Sequence, residues 1–313
     1  MKLKIQTSSI ALAVLVVVAS AGAGAANVRK VPKYAPEGIT FKSVLSLNQE
    51  PGGVQPQLRG GEVAVSRDWP ASLYVTFQEG GGTYSCTAAL IGPQVVTTAA
   101  HCVPRSGKVR FELLGKAFEA KCVQHSRYLK DTDASADYAI CGLQQKVQPP
   151  AGFLFEKLEA SVDLASIAGH HIILSGFGCT TDTGGGADGK YRIGTNTVAG
   201  TSRSPDKPLG ADYYEPREVN NLFTRDDGAN LCPGDSGGPA FLRVPGLHPG
   251  DYGNRVIVGI NSRVFYKEND PTKYGSSLIS ATVTSDFRQW AKEWAMTNNL
   301  DACGLHGTQT RCR

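Results

Sequence analysis

The sequence lacks an excess of one charge and, beyond its first twenty residues, a long apolar run. Of 32 Lys and Arg and 28 Asp and Glu, six bases and two acids precede residue 58, so residues 58–313 are electrically balanced. Without a net positive charge, residues 58–313 have no general attraction for a phosphate backbone, which disfavours nucleic acid as a partner. Nothing past residue 26 approaches the roughly 18 uninterrupted apolar residues of a membrane helix, so we expect no stable membrane insertion.

The composition is that of a globular protein. The 313 residues are 41% hydrophobic, 19% charged and 8% aromatic, which suits one large domain or two small ones. Disorder and coiled coil are therefore excluded as descriptions of the whole chain.

The first 26 residues have the three parts of a secretory signal peptide. Met1–Lys4 is basic, Ile10–Ala19 is apolar but too short to span a bilayer, and Ala21–Ala26 is a run of small residues with cleavage sites after Ala23, Ala25 or Ala26. A buried helix is the weaker alternative. The pattern predicts a secreted protein, extracellular or periplasmic.

The eight cysteines form an even set, which in an exported chain predicts disulfides. They include no C-x-x-C pair, and no His lies at zinc-finger spacing from a Cys, so we expect no metal site. Two bridges with four free buried thiols is the alternative. The cysteines are Cys86, Cys102, Cys122, Cys141, Cys179, Cys232, Cys303 and Cys312.

Between the signal peptide and residue 58 the chain has little periodicity. Residues 27–57 contain four prolines and Gly52-Gly53 and are predicted to be irregular, as a propeptide or tether. From Gly60 onward, short apolar runs are broken by Gly, Pro and Asn, which predicts an all-β sandwich or barrel. The runs are Ser72–Phe77, Ala88–Ile91, Val95–Ala100, Val109–Leu114, Ala139–Leu143, His171–Ser175, Ala240–Val244 and Val256–Ile260.

One helix is predicted at residues 285–299. Ser285 is the expected cap, and Phe287, Trp290, Ala291 and Trp294 recur at helical spacing as a packing face. A change in composition from Gln148 to about Gly169 predicts a connector between two β units.

Two short motifs carry the chemistry. In Cys232-Pro233-Gly234-Asp235-Ser236-Gly237-Gly238-Pro239, glycines around a serine let consecutive N–H groups point at one oxygen. Upstream, Thr97-Thr98-Ala99-Ala100-His101-Cys102 ends a strand with a histidine. Together the motifs resemble the chymotrypsin/trypsin family of serine endopeptidases, over about residues 58–299.

The resemblance implies a Ser-His-Asp triad. Its aspartate is Asp137, which opens the strand Asp137-Tyr138-Ala139-Ile140-Cys141-Gly142-Leu143, and the order His, Asp, Ser is the family's order. Ser236 would be the nucleophile, His101 its base, and Asp137 the group that orients the imidazole. The N–H groups of Gly234 and Ser236 would form the oxyanion hole.

The same resemblance implies two packed six-stranded antiparallel β-barrels, with the site between them and the helix at the C-terminus. Barrel one would span about residues 58–160 and barrel two about 168–284, with residues 301–313 as a disulfide-closed tail. We expect a monomer that hydrolyses a protein or peptide substrate without a cofactor, since no calcium loop is evident between His101 and Asp137.

The resemblance also implies disulfides. It pairs Cys86 with Cys102, and by the same comparison Cys122 with Cys141 and Cys303 with Cys312. Cys232 stands where members of the family bond to a later cysteine, but none suitable lies between Pro239 and Asn299. Its hypothesised partner is Cys179, with Cys303 or Cys312 as alternatives.

Members of the family are activated by a cut that frees an Ile-Val-Gly-Gly terminus, whose ammonium pairs with the aspartate before the serine, here Asp235. The family spacing to Pro70 makes Leu58 the freed residue and puts the cut after Gln57. A trypsin-like activating protease would instead cut after Arg59 and leave a terminus two residues too short. Three alternatives stay open: an activator that accepts Gln, another route of propeptide release, or an absent ion pair.

The resemblance places Asn230, followed by Leu231, at the bottom of the S1 pocket. Without an aspartate there, no buried anion would pair with a Lys or Arg side chain of the substrate. Ser262 would border the cleft near Asp137, and Val264 would narrow the pocket mouth. We therefore expect a small or medium uncharged P1 residue, with Glu, through Arg263, as a lower-ranked alternative.

Other polar residues near the motifs have structural interpretations, and two other functions are possible for such a chain. His125 is predicted to be structural, on a surface strand, and Asp131 and Asp133 to be solvated loop charges. A catalytically silent homologue that serves as a binding or adhesion module is the main rival. An esterase would need the order Ser, Asp, His and a strand–turn–helix elbow, which this chain lacks.

Overall fold

The computed structural model describes residues 28–47, 58–79, 81–131, 133–210, 213–243, 254–305 and 311–313. The predicted signal peptide and the predicted cut after Gln57 lie outside these ranges. Within them, no helix is both long and apolar enough to cross a membrane.

Most of the regular secondary structure in the described residues is β-strand. The strands are β1 (Thr40–Ser43), β2 (Glu62–Val63), β3 (Ser72–Glu79), β4 (Gly82–Gly92), β5 (Val95–Thr98), β6 (Lys108–Leu113), β7 (Lys116–Gln124), β8 (Ala139–Leu143), β9 (His171–Gly176), β10 (Arg192–Thr201), β11 (Asn221–Thr224), β12 (Pro239–Arg243), β13 (Arg255–Lys267) and β14 (Asp270–Ala281). The helices are α1 (Ser126–Leu129) and α2 (Ser285–Thr297), and short 3-10 turns lie at Val44–Ser46, Ser66–Asp68, Ala100–Cys102 and Leu164–Ser166.

Strands β1 and β3–β8 form a closed barrel in the order β1-β3-β4-β5-β8-β7-β6. In β6 the side chains alternate between buried and less buried positions, as expected for a strand with one face on a core. Every residue of β5 is buried. The core of this barrel includes Leu73, Val75 and Phe111, all with no exposed surface.

The seventh strand of this barrel comes from the segment that was predicted to be irregular. Phe41 in β1 lies opposite Val75 of β3 in an antiparallel pairing and opposite Phe111 of β6 in a parallel pairing. The prediction of an irregular segment is thus wrong for residues 40–43, and barrel one does not begin at residue 58. A four-residue strand with a single buried aromatic is too short to show a period of two.

Strands β9–β14 form the second barrel, closed between β10 and β11, with the two-residue β2 added at the edge of β10. Two barrels followed by one C-terminal helix confirm the predicted fold class. Besides the short strands β1 and β2, strands β7, β10, β11 and β14 were not among the predicted apolar runs. Strands β7 and β10 have exposed or partly exposed positions along their length and β14 begins with a polar stretch, while β11 is fully buried but half polar, so none of the four has a continuous apolar signal.

The N-cap of the C-terminal helix lies one residue earlier than predicted. Thr284, not Ser285, is the N-cap, and its hydroxyl accepts a 3.2 Å hydrogen bond from the Phe287 N–H. Phe287, Ala291 and Ala295 form the buried face. The predicted packing face is therefore found with Ala295 as an additional member.

All eight cysteines are paired in four disulfides. The structure contains each of the predicted bridges, including the variant one: Cys86–Cys102, Cys122–Cys141, Cys179–Cys232 and Cys303–Cys312. The alternative with four free thiols is wrong, and so are Cys303 and Cys312 as partners of Cys232.

Candidate active site

His101 and Asp137 are brought together by the pairing of β5 with β8. In this antiparallel pair Thr98 lies opposite Ala139, so the chain after β5 and the chain before β8 meet at the same end of barrel one. His101 follows Thr98 by three residues, in the turn Ala100–Cys102, and Asp137 precedes Ala139 by two. The register alone therefore places the two side chains next to each other.

The two residues share two hydrogen bonds. His101 Nδ1 lies 2.7 Å from Asp137 Oδ2, and the backbone N–H of His101 donates to Asp137 Oδ1 over 3.0 Å. The Asp137 side chain has no exposed surface and that of His101 is 6% exposed. Since the carboxylate can only accept, Nδ1 carries the proton in this contact and leaves Nε2 as the basic nitrogen.

Ser262 makes a third contact to the same carboxylate. Its hydroxyl donates to Asp137 Oδ2 over 2.6 Å. Burial opposes ionisation of Asp137, but the neighbouring His101 and the hydrogen bonds from His101 and Ser262 outweigh it and hold the pKa of Asp137 below its ordinary value. The carboxyl group is thus a buried anion that fixes the imidazole.

Ser236 lies in the loop before β12, on the opposite barrel. Its hydroxyl donates to the carbonyl oxygen of Ser262 over 3.3 Å. The loop is tied to barrel one, because the Ser236 carbonyl accepts from the Thr87 N–H at 2.7 Å, and to barrel two, because the Gly237 N–H donates to Asn261 O at 2.7 Å. The serine is therefore held at the junction of the barrels.

Gly234 has a backbone conformation that only glycine adopts easily, with φ +106°. A Cβ at this position would lie 2.8 Å from Gly178 Cα and 2.8 Å from Ser85 Oγ. The carbonyl oxygen of Gly234 accepts a 2.9 Å hydrogen bond from the Thr87 hydroxyl. Among the described residues, the N–H groups of Gly234 and Ser236 have no acceptor, so both are available to an outside oxygen.

Thr87 was missed by the sequence reasoning. Besides holding Gly234 and Ser236, its hydroxyl accepts a 3.1 Å bond from the Phe177 N–H. One buried side chain thus joins the serine loop to the turn after β9. In the sequence the available signal was a threonine between Cys86 and the apolar run Ala88–Ile91, and only the structure shows that its side chain is fully buried.

Asp235 is fully buried and has no ion-pair partner among the described residues. It accepts hydrogen bonds from the N–H groups of Gly178, at 2.7 Å, and Cys232, at 2.9 Å. Burial raises the pKa of Asp235 to about 7, against the lowering effect of these two donors and of more distant arginines. Its carboxyl group is therefore poised to gain a cationic partner.

Leu58 and Arg59, at the predicted activation site, are already buried in this chain. The Arg59 guanidinium donates to Asp182 at 3.1 Å and to the carbonyl oxygens of Tyr274 and Gly275. An activating protease would have to extract this side chain to cut after Arg59. The structure thus makes that bond a poor cleavage site.

The predicted S1 residues lie elsewhere than expected. Asn230 is 2% exposed, and its Oδ1 accepts from the hydroxyls of Thr224, at 2.7 Å, and Ser277, at 2.9 Å, within the core. Leu231 and Val264 are buried in the core of barrel two. None of the three lines the cavity that contains His101 and Ser236.

That cavity has a volume of about 410 Å³. Its described lining includes Tyr274, Cys179 and Ala187 and contains no Asp or Glu. Tyr274 lies in β14 and is paired with Tyr266 of β13, so its place in the cavity depends on a strand that the sequence did not predict.

Two residues dismissed as competitors have more structural roles than expected. His125 is 3% exposed, not on a surface strand: it caps α1 and its ring contacts Tyr138 and Trp290 edge-on. Asp133 is 1% exposed, so its prediction as a solvated charge is wrong; it pairs with Arg127 at 2.8 Å. Asp131 is exposed, as predicted.

One group of possible metal ligands is found in the part of the chain that the structure describes: Cys86, His101 and Cys102. The two sulfur atoms are bonded to each other, so neither offers a thiolate. This donor set does not fit a metal ion.

The match to known proteins covers the same region. A family model described as Trypsin matches residues 58–290. Chymotrypsin from Phaedon cochleariae is 23% identical over 211 residues, which are 63% of this chain and 73% of that protein. Because the family match spans more than half of the sequence, the chain belongs to the trypsin family and carries a serine peptidase domain.

Proposed function

We propose that the protein is a secreted serine endopeptidase that cleaves peptide bonds through an acyl-enzyme on Ser236. The observation that carries the proposal is the chain of contacts from the buried Asp137 carboxylate to His101, with the Ser236 hydroxyl in the same cavity. This arrangement matches what acyl transfer requires: an oriented base, a nucleophile and free N–H donors.

In the proposed reaction the Ser236 hydroxyl exchanges its present acceptor, Ser262 O, for His101 Nε2. His101 takes the proton as Oγ attacks the carbonyl carbon and then donates it to the leaving amine. The N–H groups of Gly234 and Ser236 stabilise the oxyanion, which typically is worth about 10²–10³ in rate per donor. Asp137 stabilises the imidazolium and holds its tautomer.

For specificity we propose an uncharged P1 residue of small or medium size. The support is the described cavity lining, which has no acidic group to pair with Lys or Arg and includes the side chain of Tyr274. Asn230 and Val264 carry no part of this proposal, because both are engaged in the core.

We further propose that the chain is a monomeric zymogen exported to an extracellular or periplasmic space, activated by another protease. Four disulfides and the predicted signal peptide support export. The support for activation is Asp235, which is buried and has no ion-pair partner among the described residues. A cut before Leu58 would create an N-terminal ammonium group that could pair with its carboxylate.

The test is labelling with a fluorophosphonate probe, followed by intact mass and peptide mapping. We expect label on Ser236 in the species that begins at Leu58 and none in Ser236→Ala. Asp137→Asn should label on the order of 10⁴-fold more slowly, because an amide holds the wrong imidazole tautomer. No label on the Leu58 species would favour the catalytically silent binding module instead.

A further inference from the structure

The N-terminal segment, residues 28–47, lies across the candidate active site before it enters barrel one as β1. Arg29, Pro32 and Ala35 line the same cavity of about 410 Å³ as His101 and Ser236. The segment therefore forms one wall of the space into which a substrate would bind.

The segment begins on the edge of β13. Strand β12 pairs with β13 only up to Ile260, so the part of this edge beyond it lacks a neighbour from barrel two. Val28 forms an antiparallel bridge with Phe265 there, and the Arg29 N–H donates to Val264 O over 2.8 Å. The segment is thus joined to the free edge of β13 by one bridge and one backbone hydrogen bond, the kind of contact by which a peptide adds to a sheet edge.

A peptide that continued along the edge of β13 from this bridge would approach Ser236. The segment itself is bridged at Val28 and next at Ala35, but a peptide that kept the register of the first bridge for three more residues would reach Ser262, whose carbonyl oxygen holds the Ser236 hydroxyl. An extended peptide on this edge therefore passes with its backbone beside the nucleophile. A substrate peptide would need the same edge.

The segment then crosses His101. Lys33 Nζ lies 2.7 Å from Asp131, and the Ala35 N–H donates to Val103 O over 3.1 Å, two residues beyond His101. His101 keeps only 6% of its surface exposed under this cover. Residues 28–36 carry three bases and no acid, which suits the exposed Asp131.

The anchor of the segment is β1. It pairs with both β3 and β6, and Ile39, Phe41 and Val44 are at most 1% exposed. The eight cysteines, all at position 86 or later, are paired among themselves, so no disulfide holds residues 28–47. After hydrolysis of a bond in residues 48–57, strand pairing and burial alone would retain the segment.

We propose that residues 28–47 are an intramolecular inhibitor that occupies the peptide-binding edge of β13 and remains bound after the chain is cut before Leu58. The inference rests on the proposed peptidase function. Activation then takes two steps, the cut and the release of the segment, because the cut by itself leaves the edge of β13 occupied.

The test uses the full chain with a site-specific protease sequence in place of residues 53–57, cut before Leu58. Arg29→Pro removes the N–H that donates to Val264 O. Lys30→Pro is the matched control, since it also removes one base and one N–H, and the Lys30 N–H has no acceptor among the described residues. Arg29→Ala removes the guanidinium and keeps the N–H.

We expect native mass spectrometry to find the cut segment still bound to the body. Ser236 should react with a small fluorophosphonate, while hydrolysis of an extended peptide stays slow. Arg29→Pro should raise kcat/KM for the peptide about two- to tenfold, the effect of one hydrogen bond, with unchanged labelling. Lys30→Pro should stay at the parent level. Arg29→Ala, which loses only the contact of the guanidinium with the Tyr274 ring, should rise less than Arg29→Pro, and equal thermal melting of all forms confirms folding.

Two results would overturn the inference while the peptidase function stands. In one, Ser236 is labelled, but the segment dissociates as soon as the chain is cut and peptide hydrolysis immediately reaches its full rate. The other is an equal kcat/KM in Arg29→Pro and Lys30→Pro. Absence of label in every form, including one stripped of the segment in mild denaturant, would reject the peptidase function and this inference together.

Discussion

The hydroxyl of Ser262 donates a 2.6 Å hydrogen bond to Asp137, although the two residues are 125 positions apart in the chain. Ser262 belongs to β13 of the second barrel, and Asp137 lies two residues before β8 of the first. This bond therefore joins the two barrels at the base of the candidate site, and the backbone carbonyl of the same Ser262 holds Ser236.

Ser262→Ala should destabilise the protein by about 1.5–3 kcal/mol, since it removes a hydrogen bond to a buried carboxylate. Urea unfolding with the disulfides intact measures this. Ser280→Ala is the matched control, because the Ser280 hydroxyl is buried and has no hydrogen-bond partner among the described residues. Equal losses in the two variants would argue against a special role for the Ser262 bond.

Gly234→Ala should slow labelling of Ser236 by about 10² or more, because the new Cβ would meet Gly178 and Ser85 and displace an oxyanion donor. The rate of fluorophosphonate labelling is the measurement. Gly115→Ala serves as control, since Gly115 also has positive φ, +78°, but no atom within 4 Å of a Cβ. A normal labelling rate in Gly234→Ala would contradict the proposed oxyanion hole.

Asp235 should make the uncut chain less stable as the pH rises. Its folded-state pKa of about 7 lies above the ordinary 3.8, so between about pH 4 and 7 the folded state holds a proton that the unfolded state has lost. Below about pH 4 Asp235 is protonated in both states and does not destabilise the fold. Between about pH 4 and 7 the free energy of unfolding falls as the pH rises, and above about pH 7 it no longer changes through this group.

The measurement is urea unfolding at pH 5 and pH 8, with Asp235→Asn as reference. The uncut chain should lose about 3 kcal/mol more than Asp235→Asn over this range. A chain that begins at Leu58 should lose less, because its ammonium would favour the carboxylate. Parallel pH profiles of the uncut chain and Asp235→Asn would show that Asp235 is ionised throughout.

Removal of the Cys179–Cys232 bridge should affect both stability and the site. The bridge closes 53 residues and that of Cys303–Cys312 closes 9, so chain entropy predicts losses of about 4 and about 3 kcal/mol for the two double Cys→Ser variants. Only the first bridge adjoins Gly178 and the loop of Gly234. Labelling of Ser236 should therefore slow only in the first variant.

The predictions from sequence were best where a local pattern carries the information. The C-terminal helix followed from apolar residues three and four apart, and the buried strands β5 and β8 from continuous apolar runs. Strands β7 and β10 were missed because their partly exposed faces interrupt the apolar signal. The burial of Asp133 was missed because its contact with Asn220, 87 residues away along the chain, exists only in the fold.

The sequence by itself determined the two motifs, their order and, through the family resemblance, the two barrels, the cysteine pairs and the identity of His101, Asp137 and Ser236 as candidates. These follow from residue type and spacing along the chain. Only the tertiary structure decided that Asn230 is buried against Thr224 and Ser277, that Ser262 joins the barrels, and that residues 28–47 contribute β1 to barrel one and line the cavity of His101 and Ser236. Each of these depends on pairing between distant strands, whose register is set by burial and backbone hydrogen bonds across the whole sheet.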